Sequence, residues 1–174
     1  MPPSNAFTRK ASIYRNNFIR LVDKAVDEYK LAREYLVAEI RQERGEGDGP
    51  AGITYIYFIG VTDHLENCVN ATRRASALFE RLNGEGTISE IPRETRRLLS
   101  RLAREVVQLR HVIEHIDEKI HSGEADAGPT QLIVRGDRDR ATISGYELKL
   151  SQLASLLTRF HELGVYLIGI ATTI

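Results

Sequence analysis

The sequence predicts an all-α protein: an antiparallel up-and-down bundle of four helices, with a small β-hairpin inserted before the last helix. Apolar residues recur at steps of three and four along four long segments, which is the spacing of one helix face. Short stretches containing glycine or proline separate these segments, and short connections favour antiparallel neighbours. The chain has 174 residues, 42% of them hydrophobic, which suits a single domain over residues 1–174.

The first two predicted helices cover about residues 5–44 and 53–82. The first ends at the glycine-rich stretch 45–50, whose composition does not stay helical, and the second ends at Asn83, Gly84 and Gly86. In the first helix the residues predicted to face inward are Phe18, Leu21, Val22, Ala25, Tyr29, Ala32, Leu36 and Ile40. In the second helix they are Val61, Leu65, Cys68, Thr72, Ala75, Phe79 and Leu82.

The third predicted helix covers about residues 92–121 and, at on the order of 40 Å, is the central rod of the bundle. Thr87 and Glu90 fit a capping box before it, and Pro92 suits its first turn. Its apolar seam consists of Leu99, Leu102, Val106, Leu109, Ile113, Ile116 and Ile120.

Two short apolar runs around the polar turn 136–139 predict a β-hairpin over about residues 131–143. Ser144 and Glu147 form a second capping-box pattern, which predicts a last helix over about residues 145–169. Its apolar stripe consists of Leu150, Leu153, Leu157, Phe160, Leu163 and Leu167. The apolar run 165–170 either packs internally or offers a surface for a homodimer.

Composition narrows the classes of function. The 24 basic and 24 acidic residues cancel, so that any nucleic-acid surface has to be local. A single cysteine, Cys68, excludes an intrachain disulfide framework. The first ten residues lack a signal peptide pattern, and the apolar runs are too short to span a bilayer. We therefore expect a cytoplasmic protein with no membrane partner.

The third helix carries an unusual polar cluster from Arg110 to His115, beside its apolar seam. His111, Glu114 and His115 spell H-x-x-E-H, the order of zinc ligands and general base in inverzincin peptidases. A catalytic zinc site needs a third ligand, and none is evident. Glu118 and His121 have the Glu-x-x-His spacing of di-iron bundles, but these need a second such motif, which is also missing. The sequence thus predicts no metal and no other cofactor.

Arg110, four intervening residues and His115, with the polar His111 directly after the arginine, resemble the R-x(4–6)-H motif of the HEPN superfamily. The resemblance implies a small helical bundle, a homodimer, and a metal-independent RNA endonuclease of toxin or defence type, with a protein partner such as an antitoxin. Arg110 and His115 would be the catalytic residues. His111 and Glu114 would support them, and Arg101 and Arg104 would bind RNA.

The chemistry suits these residue types, because Arg110 can hold a phosphate through two hydrogen bonds and His115 can move a proton near neutral pH. Five residues of straight helix turn by about 140°, so the two side chains need a distorted helix or a dimer axis to meet. The alternative is a non-catalytic helical module for dimerisation or protein binding, in which Arg110 and Glu114 form a surface ion pair.

Two further groups of polar residues border this cluster. A local basic patch is predicted where the start of the third helix meets the end of the second, and its alternative is an ordinary solvated face. The patch consists of Arg93, Arg96, Arg97, Arg101, Arg104, Arg73, Arg74 and Arg81. On the second helix the residues that could line a cleft facing Arg110 are Asp63, His64, Asn67 and Asn70.

Overall fold

The computed structural model describes residues 9–46, 53–123, 129–135 and 137–172, and these contain four helices and one three-stranded antiparallel sheet. The helices are α1 (Arg9–Glu43), α2 (Ile53–Gly84), α3 (Arg93–Ser122) and α4 (Leu150–Thr172). The strands β1 (Ile133–Val134), β2 (Arg140–Ile143) and β3 (Tyr146–Lys149) precede α4. The four predicted helices and their order are confirmed. The predicted helical residues 5–8, the stretch 47–50 and Gly136 of the predicted turn lie outside the described residues.

The capping box predicted at Thr87 and Glu90 is wrong, because Thr87 lies in the turn that follows α2 and closes it. Its N–H donates to the carbonyl of Leu82 at 3.1 Å, and Gly86, at φ +72°, donates to Asn83 at 3.2 Å. This pair of bonds is a Schellman motif, which closes a helix at its C-terminus. Helix α3 begins only after Pro92, which makes no side-chain capping hydrogen bond.

The capping box predicted at Ser144 and Glu147 is wrong as well. Ser144 at φ 45° and Gly145 at φ 76° form a tight turn that pairs Ile143 with Tyr146 and Thr142 with Glu147. The predicted hairpin therefore has a third strand, and α4 begins at Leu150 instead of about residue 145. The physical reason is that two successive left-handed residues suit a two-residue hairpin turn and do not fit the start of a helix.

The sheet and the residues that flank its strands make at least one polar contact with each of the four helices. Arg138 pairs with Glu43 of α1, and Thr62 of α2 donates to the carbonyl of Leu132 at 2.9 Å. The hydroxyl of Tyr146 donates to the carbonyl of Glu105 in α3, also at 2.9 Å. Asp139 accepts the backbone N–H of Ser151 at 2.9 Å, which caps the N-terminus of α4.

The core lies between the helices and follows the predicted apolar faces. Phe160 of α4 is fully buried, and its ring centroid lies 5.3 Å from that of Phe18 in α1 and 5.6 Å from that of Phe79 in α2. Every inward position predicted for α2 and α4 is buried. The seam of α3 is less complete than predicted, because Ile120 is 48% exposed.

The apolar run at the end of α4 is divided between the core and the surface. Leu163 and Leu167 are buried, whereas Val165 is 57% and Ile168 is 48% exposed. In the described part of the chain, no helix combines the length and the apolar character that crossing a membrane requires.

Helices α1 and α2 approach each other closely at Gly60, where a side chain would collide with Tyr35. An ideal Cβ built on Gly60 lies 2.3 Å from Cδ1 of the Tyr35 ring. The same ring also packs against the imidazole of His64, at a centroid distance of 5.3 Å. The ring therefore has to move when Gly60 gains a methyl group.

We expect Gly60→Ala to lower the free energy of unfolding by about 1–2 kcal/mol, because overpacking outweighs the better helix propensity of alanine. Urea denaturation measures the change. Gly169→Ala is the matched control, since no atom lies within 4 Å of its added Cβ. This control should be neutral or stabilising by up to about 1 kcal/mol. Equal stabilisation by both substitutions would contradict the close approach at Gly60.

Candidate functional site

The solvent side of α3 carries a row of basic residues, which we call the basic face. Its members are Arg93, Arg97, Arg101, Arg104, His111 and His115. On an ideal helix all of these except Arg101 fall within about 40° of rotation, and the row is about 33 Å long. The four arginines are exposed, and within the described part of the chain their side chains form no hydrogen bond or ion pair.

The arginines of the basic face line a groove of about 820 Å³ at the junction of α2 and α3. Glu80 and Asn83 of α2 line the same groove. Arg96 has a structural role there, because it donates to Asn83 and, at 3.1 Å, to the carbonyl of Ile91. The hydroxyl of Ser100 donates to Glu80 at 2.6 Å, which leaves the exposed arginines without this carboxylate as a partner.

The predicted basic patch is therefore present only in part. The end of α2 does lie beside the start of α3, as the antiparallel pairing of these two helices predicts. Arg81, however, lies over the ring of Tyr14 in α1, with its guanidinium carbon 5.3 Å from the ring centroid. Arg73 and Arg74 are exposed on α2.

Arg110 lies between α2 and α3 and is held by one partner from each helix. Its Nε donates to Oδ1 of Asn70, and its Nη2 forms an ion pair with Oε1 of Glu114 at 2.7 Å. Only 17% of its side chain is exposed. Burial and the nearby Arg73 lower the pKa of the guanidinium, and Glu66 opposes this shift. The group remains a cation at neutral pH, since arginine does not lose its proton in proteins.

Glu66 is the acidic neighbour of Arg110 on α2. Its pKa is raised, first by burial and then by the charge of Asp63, whereas Arg110 acts in the opposite direction. The two helices thus enclose a small mixed-charge cluster in which Arg110 is the fixed cation.

His115 lies on the basic face and is oriented by a carboxylate. Its Nδ1 is 2.8 Å from Oε2 of Glu118, one turn further along α3. Its ring centroid is 4.4 Å from that of His111, and the planes are tilted by 55°. A carboxylate at Nδ1 favours the tautomer with the proton on that atom, which leaves Nε2 as the free base.

The structure does not bring Arg110 and His115 into contact within the described chain. Arg110 is turned toward α2, whereas His115 is turned toward Glu118 and His111. Glu114 is the partner of Arg110, which confirms the ion pair considered for this spacing.

Of the α2 residues predicted to line a cleft, Asn70 does contact Arg110. His64 does not face Arg110: its Nδ1 is 2.8 Å from Oε2 of Glu28 in α1. This pair joins residues 36 positions apart, and no local pattern in the sequence indicates it.

Nucleophilic chemistry at Cys68 and a metal site with three or more protein ligands receive little support from the described residues. Cys68 is fully buried, and burial raises the pKa of its thiol to about 12, so that it is a poor nucleophile. Within the described ranges, no group of three or more His, Cys, Asp or Glu side chains is arranged to hold a metal ion.

Comparison of the chain with protein-family models, with curated proteins and with solved structures found no match. The resemblance to HEPN domains therefore stays a prediction that rests on Arg110, His111 and His115.

Proposed function

We propose that the protein binds RNA along the basic face and cleaves it without a metal ion, as a HEPN-type homodimer built on an antiparallel four-helix bundle. The observation that carries this proposal is the basic face, in which four exposed arginines without ion-pair partners in the described chain lie on the same side of α3 as the oriented His115. Guanidinium groups at successive turns suit the phosphates of a nucleic-acid backbone. Because Tyr, Phe and Trp are absent from the basic face, binding would depend on charge and not on base sequence.

In the proposed reaction His115 removes the proton of a ribose 2′-hydroxyl through Nε2. The 2′-oxygen forms a bond to the adjacent phosphorus, the bond from phosphorus to the 5′-oxygen breaks, and a water molecule gives the departing 5′-oxygen its proton while His115 releases the proton it accepted to solvent. The products are a 2′,3′-cyclic phosphate and a 5′-hydroxyl end. Arg110 would stabilise the additional negative charge on the phosphate, with Glu114 holding its guanidinium and His111 packing against the ring of His115.

The homodimer is part of the proposal because the two catalytic side chains leave α3 in different directions. In a symmetric dimer, Arg110 of one protomer can face His115 of its partner, which provides two equivalent composite sites. Partial burial of Arg110, its hydrogen bond to Asn70 and its ion pair with Glu114 would hold it ready for this role.

The second candidate is a non-catalytic module that binds a protein or dimerises. The pairing of Arg110 with Glu114 and Asn70 favours it, because these contacts satisfy the guanidinium within one chain. In this case Arg110 stabilises the packing of α2 on α3 and has no reaction to support.

Incubation of the full chain with RNA in excess EDTA separates the two candidates. We expect cleavage of a single-stranded RNA oligonucleotide to 2′,3′-cyclic phosphate ends, detected by gel electrophoresis and mass spectrometry. DNA of the same sequence is the matched control and should stay intact, because it lacks the attacking 2′-hydroxyl. Intact RNA, equal cleavage of the DNA, or cleavage that stops on addition of EDTA would each contradict the proposed reaction.

A further inference from the structure

His111 and His115 form a pair of imidazoles with the geometry of a chelate for a transition metal. They are one turn apart on the same face of α3, and their ring centroids are 4.4 Å apart. Two imidazole nitrogens that share a tetrahedral Zn²⁺ ion at about 2.0–2.1 Å are about 3.4 Å from each other. His111 is exposed and the side chain of His115 is 40% exposed, so both rings can rotate about their side-chain bonds to reach this separation.

Glu118 adds the feature that most often accompanies a histidine ligand. Histidines that bind a metal usually donate their other ring N–H to a carboxylate, which fixes the ring and makes the ligating nitrogen more basic. Oε2 of Glu118 is 2.8 Å from Nδ1 of His115, so Nε2 of this ring is the atom left for an ion.

We propose that His111 and His115 bind a single Zn²⁺ or similar ion, such as Ni²⁺ or Cu²⁺, with water completing the coordination. The ligand class follows from the donors, since imidazole suits these ions whereas Mg²⁺ and Ca²⁺ prefer oxygen. Glu114 stands between the two histidines in sequence, but its carboxylate is paired with Arg110. The site therefore has two protein ligands and open positions, which makes it different from a closed structural zinc site.

The ion would have a regulatory effect that rests on the proposed RNA cleavage. A metal ion bound to Nε2 of His115 occupies the atom that is needed to accept the proton of the 2′-hydroxyl. Binding of Zn²⁺ and catalysis by His115 thus exclude each other. The metal site itself requires no RNA and no activity, because it depends only on the two imidazoles and on Glu118.

Equilibrium dialysis of the full chain against ZnCl₂ tests the site without RNA. We expect a single Zn²⁺ per chain, which excess Mg²⁺ does not displace. His111→Ala or His115→Ala should weaken binding by about 100-fold or more, because each removes one arm of the chelate. Glu118→Ala should weaken binding by about tenfold. Circular dichroism of each variant verifies that it is folded.

His121→Ala is the matched control, because His121 is an exposed histidine on α3 that lies outside the basic face. This variant should bind Zn²⁺ like the wild type. Unchanged binding in both chelate variants, or an equal loss in His121→Ala, overturns the site. In a cleavage assay without EDTA, saturating Zn²⁺ should suppress cleavage, and full activity with the ion bound would overturn its regulatory effect. An inactive protein that still binds Zn²⁺ refutes only the RNA cleavage.

Discussion

Replacement of His115 by alanine should slow RNA cleavage by about 100- to 10,000-fold, the usual contribution of a general acid or base. The ring is exposed on α3, so its loss should leave the folded structure intact. Initial rates with a labelled RNA oligonucleotide measure the effect, and thermal unfolding of the variant verifies stability. His121→Ala serves as the control on the same helix and should keep the wild-type rate. A His115→Ala variant that cleaves as fast as the wild type would refute its role as the base.

Mixed variants test whether Arg110 and His115 act across a dimer. Arg110→Ala and His115→Ala should each be inactive alone. After mixing and subunit exchange, a heterodimer retains one composite site with both side chains intact. Random exchange should restore about one quarter of the wild-type rate, since half of the dimers then carry one of two sites. Inactivity of a mixture that does exchange its subunits would refute the arrangement across the dimer.

Replacement of the four arginines of the basic face by glutamine should weaken RNA binding on the order of 1,000-fold at about 50 mM salt. Each guanidinium that contacts a phosphate releases counterions, with a slope of about −0.7 per contact for single strands. In a plot of the logarithm of affinity against the logarithm of salt concentration, the slope of the variant should consequently be less negative by about 3. Fluorescence anisotropy of a labelled RNA over a salt series measures both quantities.

The control for this variant removes the same amount of charge from other surfaces. Arg20, Arg41 and Arg44 are exposed on or directly after α1, and Arg159 is exposed on α4. Replacing these four by glutamine should change the affinity and its salt dependence only slightly, because they lie outside the basic face. Equal losses in the two quadruple variants would show that binding depends on overall charge and would contradict a defined RNA surface.

The helices could be predicted because their apolar residues repeat every three to four positions, a signal summed over many turns. Phe160 illustrates this, since its place in the α4 stripe correctly predicted a fully buried ring. The two capping-box predictions were wrong because a pattern of four residues also fits other local structures. The pattern at Thr87 also fits the end of the preceding helix, and the one at Ser144 also fits a hairpin turn.

In the candidate site, contacts within one helix could likewise be predicted from the sequence, whereas contacts between helices could not. The pair of Arg110 and Glu114 follows from their spacing on one helix, and it is present. The contact of Arg110 with Asn70 depends on how α2 and α3 are rotated against each other, which spacing alone does not determine. The pairing of His64 with Glu28 likewise requires the packing of two helices.

The three-stranded sheet has few residues, but Arg138, Thr62, Tyr146 and Asp139 connect it to all four helices. A helix pair can slide by one turn with little loss when its interface is a repeating apolar stripe. A polar contact at a defined backbone atom does not tolerate such a slide, because the donor then loses its acceptor. The sheet therefore fixes the axial position of every helix relative to the others. It thereby also fixes where Arg110 and His115 of α3 lie along the bundle.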